Sequence, residues 1–192
     1  MSAKWVMLAL AFCGSANATT VFGIKLGARL DVPECHYSRI GGVVFFDGAD
    51  RQSCYQIISV RNRTLVRPDD MVAISLASDG TFVAGDLHAQ LVDGSVQRMW
   101  CHTAGVRYQE VNMQSLVSKF GRPTHFNRVP LQNAMGASFQ TDMAAWSLPN
   151  GVRAVYMAAV SRLDRGRFEI STIPGRTYLM AHEKSAAPNS GL

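Results

Sequence analysis

"RYQEVNMQSLVSKFGRP", residues 107 to 123, is where the hydrophobic period of this chain changes. Met113, Leu116, Val117 and Phe120 recur at the i, i+3, i+4, i+7 spacing of one helical face. Lys119 suits the negative end of the helix dipole, Gly121 can supply a left-handed cap, and Pro123 forbids continuation. An amphipathic helix over about 107–120 is therefore predicted. On both sides of it the period is two. Upstream, short strands are expected from Val21 to Leu26, within "GGVVFFDG" (41–48), from Cys54 to about Arg61, and in "MVAISLAS" (71–78). In "LHAQLVDGSVQRMWC" (87–101), Asp93-Gly94 between two alternating runs is a hairpin signal. Downstream, a linker rich in turn formers leads to "ASFQTDMAAWSL" (137–148), an Asn150-Gly151 turn, "VRAVYMAAV" (152–160), and "RFEISTI" (167–173). The expected fold class is α+β: an antiparallel sheet with one main helix followed by a three-stranded meander. Two related halves stay open, since "IKLGARL" and "SKFGRPT" each place Lys two residues before Gly near a chain reversal.

The first residues, MSAKWVMLALAFCGSANA, carry one cation (Lys4), an apolar run from Trp5 to Phe12, and small residues to Ala18. That is the anatomy of a secretory signal peptide. The run is far shorter than the roughly 20 residues an α-helix needs to cross a bilayer. Ala16-Asn17-Ala18 fits ordinary signal peptidase, so residues 1–18 are expected to be removed and the product to be periplasmic or secreted. The second reading is a lipoprotein anchored at Cys13, against which Phe12 stands in the place of a small residue. No transmembrane segment is expected in the mature chain. Residues 19–182 would form a single α+β domain of ordinary size, and the small, polar segment 183–192 a flexible tail.

Apolar residues make up 47% of the chain and charged ones 17%, a balance that favours a folded globule over disorder. The net charge of +5 favours acidic partners; outside the cytoplasm these are protein surfaces, glycans or lipid headgroups, and nucleic acid is not expected. An oxidising compartment makes a disulfide the default for cysteines that can meet. Leader removal leaves Cys35, Cys54 and Cys101. Pairing of Cys35 with Cys54 is favoured, closing a short loop for about 3 kcal/mol in the chain-entropy picture. Pairing of either with Cys101 stays open.

The stretches "LVSKFGRPT", "WSLPNGVRAVY" and "GRFEIST" resemble small exported bacterial proteins built as a helix, an "FGxPT" turn and antiparallel strands. The β-lactamase-inhibitor-like and outer-membrane-assembly small-lipoprotein domains share that layout. The resemblance covers residues 107–173, and implies a noncatalytic protein that binds another protein of the envelope.

Candidate chemistry is sparse. His36, His88, His102, His125 and His182 never approach the short spacings of a metal site, so no metal is expected. Cys101 and His102 are neighbours on an expected strand, where side chains point to opposite faces and cannot form a nucleophile–base pair. No nucleophile elbow, P-loop or dinucleotide fingerprint appears, and no cofactor is expected. Asp69, Asp70, Asp142 and Glu169 are too scattered to read as an acid/base pair. The constellation with most potential is "VRNRTLVR", in which Arg61, Arg63 and Arg67 could fork onto carboxylates or phosphates. Arg162, Arg165 and Arg167 form a second basic cluster, and charged strand edges of this kind also discourage aggregation. Trp100, Trp146, Tyr156 and Phe168 read as core.

The sequence therefore points to a noncatalytic envelope protein acting on a protein partner, as inhibitor, immunity factor or assembly accessory. Its alternatives are a cell-wall or lipid hydrolase whose site the fold assembles, and a binder of anionic glycans or lipids through arginine patches.

Overall fold

The computed structural model describes residues 19–40, 43–47, 52–57, 69, 71–77, 82–132 and 135–186. Twelve strands and two helices are present among them. The first four strands form two small hairpins: β1 (Thr20–Val21) with β2 (Ile24–Lys25), and β3 (His36–Ile40) with β4 (Val43–Asp47). Four more follow: β5 (Cys54–Ile57), β6 (Met71–Ser75), β7 (Leu87–Val92) and β8 (Ser95–Thr103). A 3₁₀ turn (Val106–Tyr108) opens helix α1 (Gln109–Phe120). Then come β9 (His125–Gln132), β10 (Ser138–Ser147), β11 (Arg153–Arg162), β12 (Arg165–Ser171) and helix α2 (Ile173–Ala186).

Strands β5 to β12 form one eight-stranded antiparallel sheet in the order β5-β6-β7-β8-β12-β11-β10-β9. The order has a simple logic. A four-stranded meander followed by a helix occurs twice, and the last strands of the two meanders, β8 and β12, pair at the centre. The expected layout of one main helix and a three-stranded meander is overturned by this arrangement: four strands follow α1, they merge with the earlier ones into a single sheet, and a second helix closes the described chain. Helix α1 itself falls where the periodicity places it, with Leu116 buried, Met113 and Phe120 packed on the core, and the Gly121 N–H donating to the Val117 carbonyl.

Two elements of this sheet and its helices are disguised in the sequence. Strand β9 contains Pro130 and is polar, which disguises it; the sheet tolerates the proline because β9 is an edge strand. Helix α2 begins Ile173-Pro174-Gly175, residues that normally argue against helix. Proline costs nothing in a first turn that has no acceptor for its missing N–H. Gly175 is required by proximity, since a Cβ there would lie 2.3 Å from the Gln97 carbonyl oxygen.

The sheet has two faces with different fates. On one, Leu87, Met99, Cys101, Ala154, Tyr156, Phe168, Ile170 and Trp146 build the core, covered by α1 and by the β1–β2 hairpin with its buried Val21 and Ile24. Trp146 donates from its indole N–H to the Gly121 carbonyl at 2.9 Å, tying the end of α1 to β10. Helix α2 lies against β7 and β8 and is absent from that core. Cys35 and Cys54 are joined by a disulfide, with Cα atoms 4.9 Å apart, at the base of the β3–β4 hairpin. Beside it the Cys35 N–H donates to the Tyr55 carbonyl and the Tyr55 N–H to the Pro33 carbonyl, so the outer edge of β5 is covered. No described helix is long and apolar enough to cross a membrane.

Candidate functional site

The second face of the sheet carries the charged residues of the central strands β8 and β12. Alternation along the central strands places Arg98, Trp100 and His102 of β8 and Arg167, Glu169 and Ser171 of β12 on this side, opposite the core. Register adds His88 from β7 and Arg153, Val155 and Met157 from β11.

Arg98 is the anchor of the group. It is 9% exposed, and its guanidinium donates twice to Glu169, Nε to Oε1 at 2.7 Å and Nη2 to Oε2 at 2.9 Å. Arg167 donates to Glu169 Oε2 from the other side at 2.8 Å. Burial alone would raise the Glu169 pKa; the hydrogen bonds and charges of Arg98 and Arg167 outweigh it and hold the carboxyl below its ordinary value. The Arg98 guanidinium also sits 4.5 Å from the centroid of Trp100, and His88 stacks on the same indole at 5.2 Å. His88 Nδ1 is buried with no hydrogen-bond partner among the described residues. Burial, reinforced by His102 and Arg167 and opposed by Asp86, pushes the His88 pKa down.

Beside this network the sheet surface is concave. Arg153, Val155, Met157, Arg167, Glu169 and Arg176 line a hollow of about 200 Å³. Arg176, from the first turns of α2, donates to the backbone carbonyls of Ser171 and Gly151, both at 2.9 Å, and forms no ion pair among the described residues. Arg153 is exposed and forms no ion pair among the described residues. Three guanidiniums thus face one carboxylate, which is already bridged. The hollow continues across Val155 and Arg153 onto Met143 and Ala145, an apolar strip bordered by the exposed Asn127 and His125 on the same face. Nothing among the described residues covers this strip.

The sequence-derived candidates divide differently from expectation. Arg61, Arg63 and Arg67 lie outside the described residues. The second basic cluster is split: Arg162 pairs with Asp164 within its own exposed turn, and only Arg167 reaches the hollow. Cys101 is fully buried and free, and burial pushes its thiol up to about 12. Asp142 and Glu169 stand on opposite faces of the sheet, Asp142 receiving Arg128 at 2.9 Å. Among the described residues, no three His, Cys, Asp or Glu side chains gather as metal ligands would. Trp146, Tyr156 and Phe168 are core, whereas Trp100 belongs to the charged face. Arg98, Arg153 and Arg176 were missed because they come from three separate elements. The alternations Arg153-x-Val155-x-Met157 and Arg167-x-Glu169-x-Ser171 were the available signal.

No protein-family model matches this chain, and no curated protein or solved structure shows significant similarity to it.

Proposed function

We propose that this protein is a noncatalytic binding module, and that it docks an acidic protein partner on the uncovered face of β9 to β12. The observation that carries the reading is Arg153, an exposed guanidinium without a carboxylate among the described residues, standing over Val155 and beside Arg167 and Arg176. Arginine and methionine around an apolar floor are the residues enriched where proteins meet, and Met143, Met157, Val155 and Ala145 supply that floor. The Arg98–Glu169–Arg167 bridge holds the hollow in shape before any partner arrives, which reduces the ordering cost of association. The expected location, periplasmic or secreted after cleavage behind Ala18, would place that partner in the envelope.

The anionic glycan or lipid reading has one observation in its favour, the excess of guanidiniums in the hollow, because arginine forks onto phosphate as readily as onto carboxylate. One experiment separates the two. Tagged wild-type protein and an Arg153→Glu variant are used to capture material from envelope extract, with vesicles containing anionic lipid in parallel. A single stoichiometric protein, retained by the wild type and lost from the variant, supports the docking module. Retention of that protein by Arg153→Glu removes its basis, and salt-sensitive binding to the vesicles transfers the surface to lipid.

A further inference from the structure

We infer that the opposite face of the sheet holds a second, independent site: a cavity that takes a small apolar carboxylate of about one aromatic ring. Val21, Phe22, Phe82, Leu116, Phe120 and Phe168 wall a cavity of about 150 Å³ between the β1–β2 hairpin and α1. A volume of about 150 Å³ between apolar walls accommodates a ligand the size of benzene. Four of the six walls are phenyl rings: Phe22 and Phe168 meet edge to face at 6.2 Å, Phe82 and Phe168 at 5.4 Å, and Phe120 stacks on Phe168 at 6.2 Å. Rings so disposed offer both faces and edges to an inserted ring.

Two further observations say that the cavity is built and what it selects. Phe22 lies in the left-handed region (φ 53°), followed by Gly23 (φ 79°), in a two-residue turn whose first central position normally holds Asn, Asp or Gly. A phenylalanine is a poor choice for that turn, but it turns a ring into the cavity wall. Strain that persists at one residue marks a position held for what its side chain does. The polar groups at the mouth are Ser115 and Lys119. The Ser115 hydroxyl donates to the Val111 carbonyl, so it is occupied. The Lys119 ammonium stands 5.9 Å from the Phe120 ring centroid and has no carboxylate partner among the described residues. An aromatic recess with one unpaired cation at its open mouth is complementary to an apolar body carrying one negative charge. A neutral ligand of the same size gains only the body, and a cationic one is repelled.

The test is an amide-resonance titration of the ¹⁵N-labelled full-length chain with three probes of one ring each: phenylacetate, toluene and benzylamine. Phenylacetate and toluene are expected to shift the same resonances, those of Val21, Phe22, Leu116 and Phe168, with benzylamine weakest. Lys119→Met keeps the apolar stem of an exposed side chain and removes the charge. It should weaken phenylacetate about threefold to fivefold, the worth of a solvent-exposed ion pair, and leave toluene unchanged. Ser115→Leu, on the exposed side of α1, should plug the mouth and abolish both. Absence of shifts at these residues with every probe, at millimolar concentration, would overturn the site. An unchanged ratio of phenylacetate to toluene affinity in Lys119→Met would overturn the ligand class. The arginine-rimmed surface lies on the other side of the sheet, so neither result bears on it.

Discussion

Arg98 and Glu169, separated by 71 positions in the chain, are joined on neighbouring strands by two hydrogen bonds of 2.7 and 2.9 Å. The guanidinium is nearly buried, so its carboxylate neutralises a charge that would otherwise be stranded. Glu169→Gln is therefore expected to cost about 1–3 kcal/mol in urea unfolding, the range for a buried group deprived of its partner. The loss stays below that of a fully enclosed pair because the Glu169 side chain keeps 23% of its surface exposed. A change under about 0.5 kcal/mol, the scatter of ordinary surface substitutions, would show that the bridge does not stabilise the sheet.

Acid should destabilise the protein in two stages. His88 has a folded pKa below the ordinary imidazole value of 6.5, so the unfolded chain takes up its proton first and stability falls as pH drops from 6.5 through the lowered value. Glu169 is also depressed, from 4.5, and its contribution is present above pH 4.5 and lost as pH falls through its folded pKa. His88→Phe retains the stacking on Trp100 and should abolish the first stage while leaving the second. Unfolding midpoints measured between pH 7 and 3 decide this, and an unaltered first stage in the variant would reassign it.

The cysteines should separate cleanly by reactivity. With its thiol buried and its pKa near 12, Cys101 is expected to resist iodoacetamide at pH 8 in the native protein and to alkylate only on unfolding, as mass spectrometry would show. Replacing Cys35 and Cys54 together by Ser removes a link across 19 positions, at a cost of about 3 kcal/mol.

Gly175 is where α2 touches β8. A methyl group there would meet the backbone of Gln97, which cannot swing aside as a side chain can. Gly175→Ala should destabilise by about 1–3 kcal/mol, the usual cost of overpacking, whereas the exposed Thr177→Ala should be neutral. Hydrogen exchange gives the sharper measurement: faster exchange confined to α2 is expected, and unchanged protection would mean that the helix is not seated as described.

The parts of this architecture written in local pattern were legible, and the parts written in long-range register were not. Helix α1 followed from four apolar positions and its Gly121 stop, and the β7–β8 turn from Asp93-Gly94, both of which adopt the left-handed backbone that turn demands. The Cys35–Cys54 link followed from proximity in the chain. Strand β9 was hidden because an edge strand need not alternate and can hold Pro130; its Phe126 is half-exposed. Helix α2 was hidden by the proline and glycine that its start requires. The arginine-rimmed hollow draws on β11, β12 and α2, and only the pairing of β8 with β12 brings the supporting Arg98 onto Glu169. No window of sequence contains that pairing.

The meeting of β8 with β12 also sets an order of events. Residues 98–103 of β8 wait for residues 166–171, so the first meander can complete its own pairings while one of its borders stays bare. A nascent chain exposes that border throughout synthesis of more than sixty further residues, and contacts of such long span slow the search for the native state. Until the last strand arrives, an unpaired row of N–H and C=O groups invites association with other chains. Shielding of the β8 border until β12 is made would therefore limit misassociation during folding.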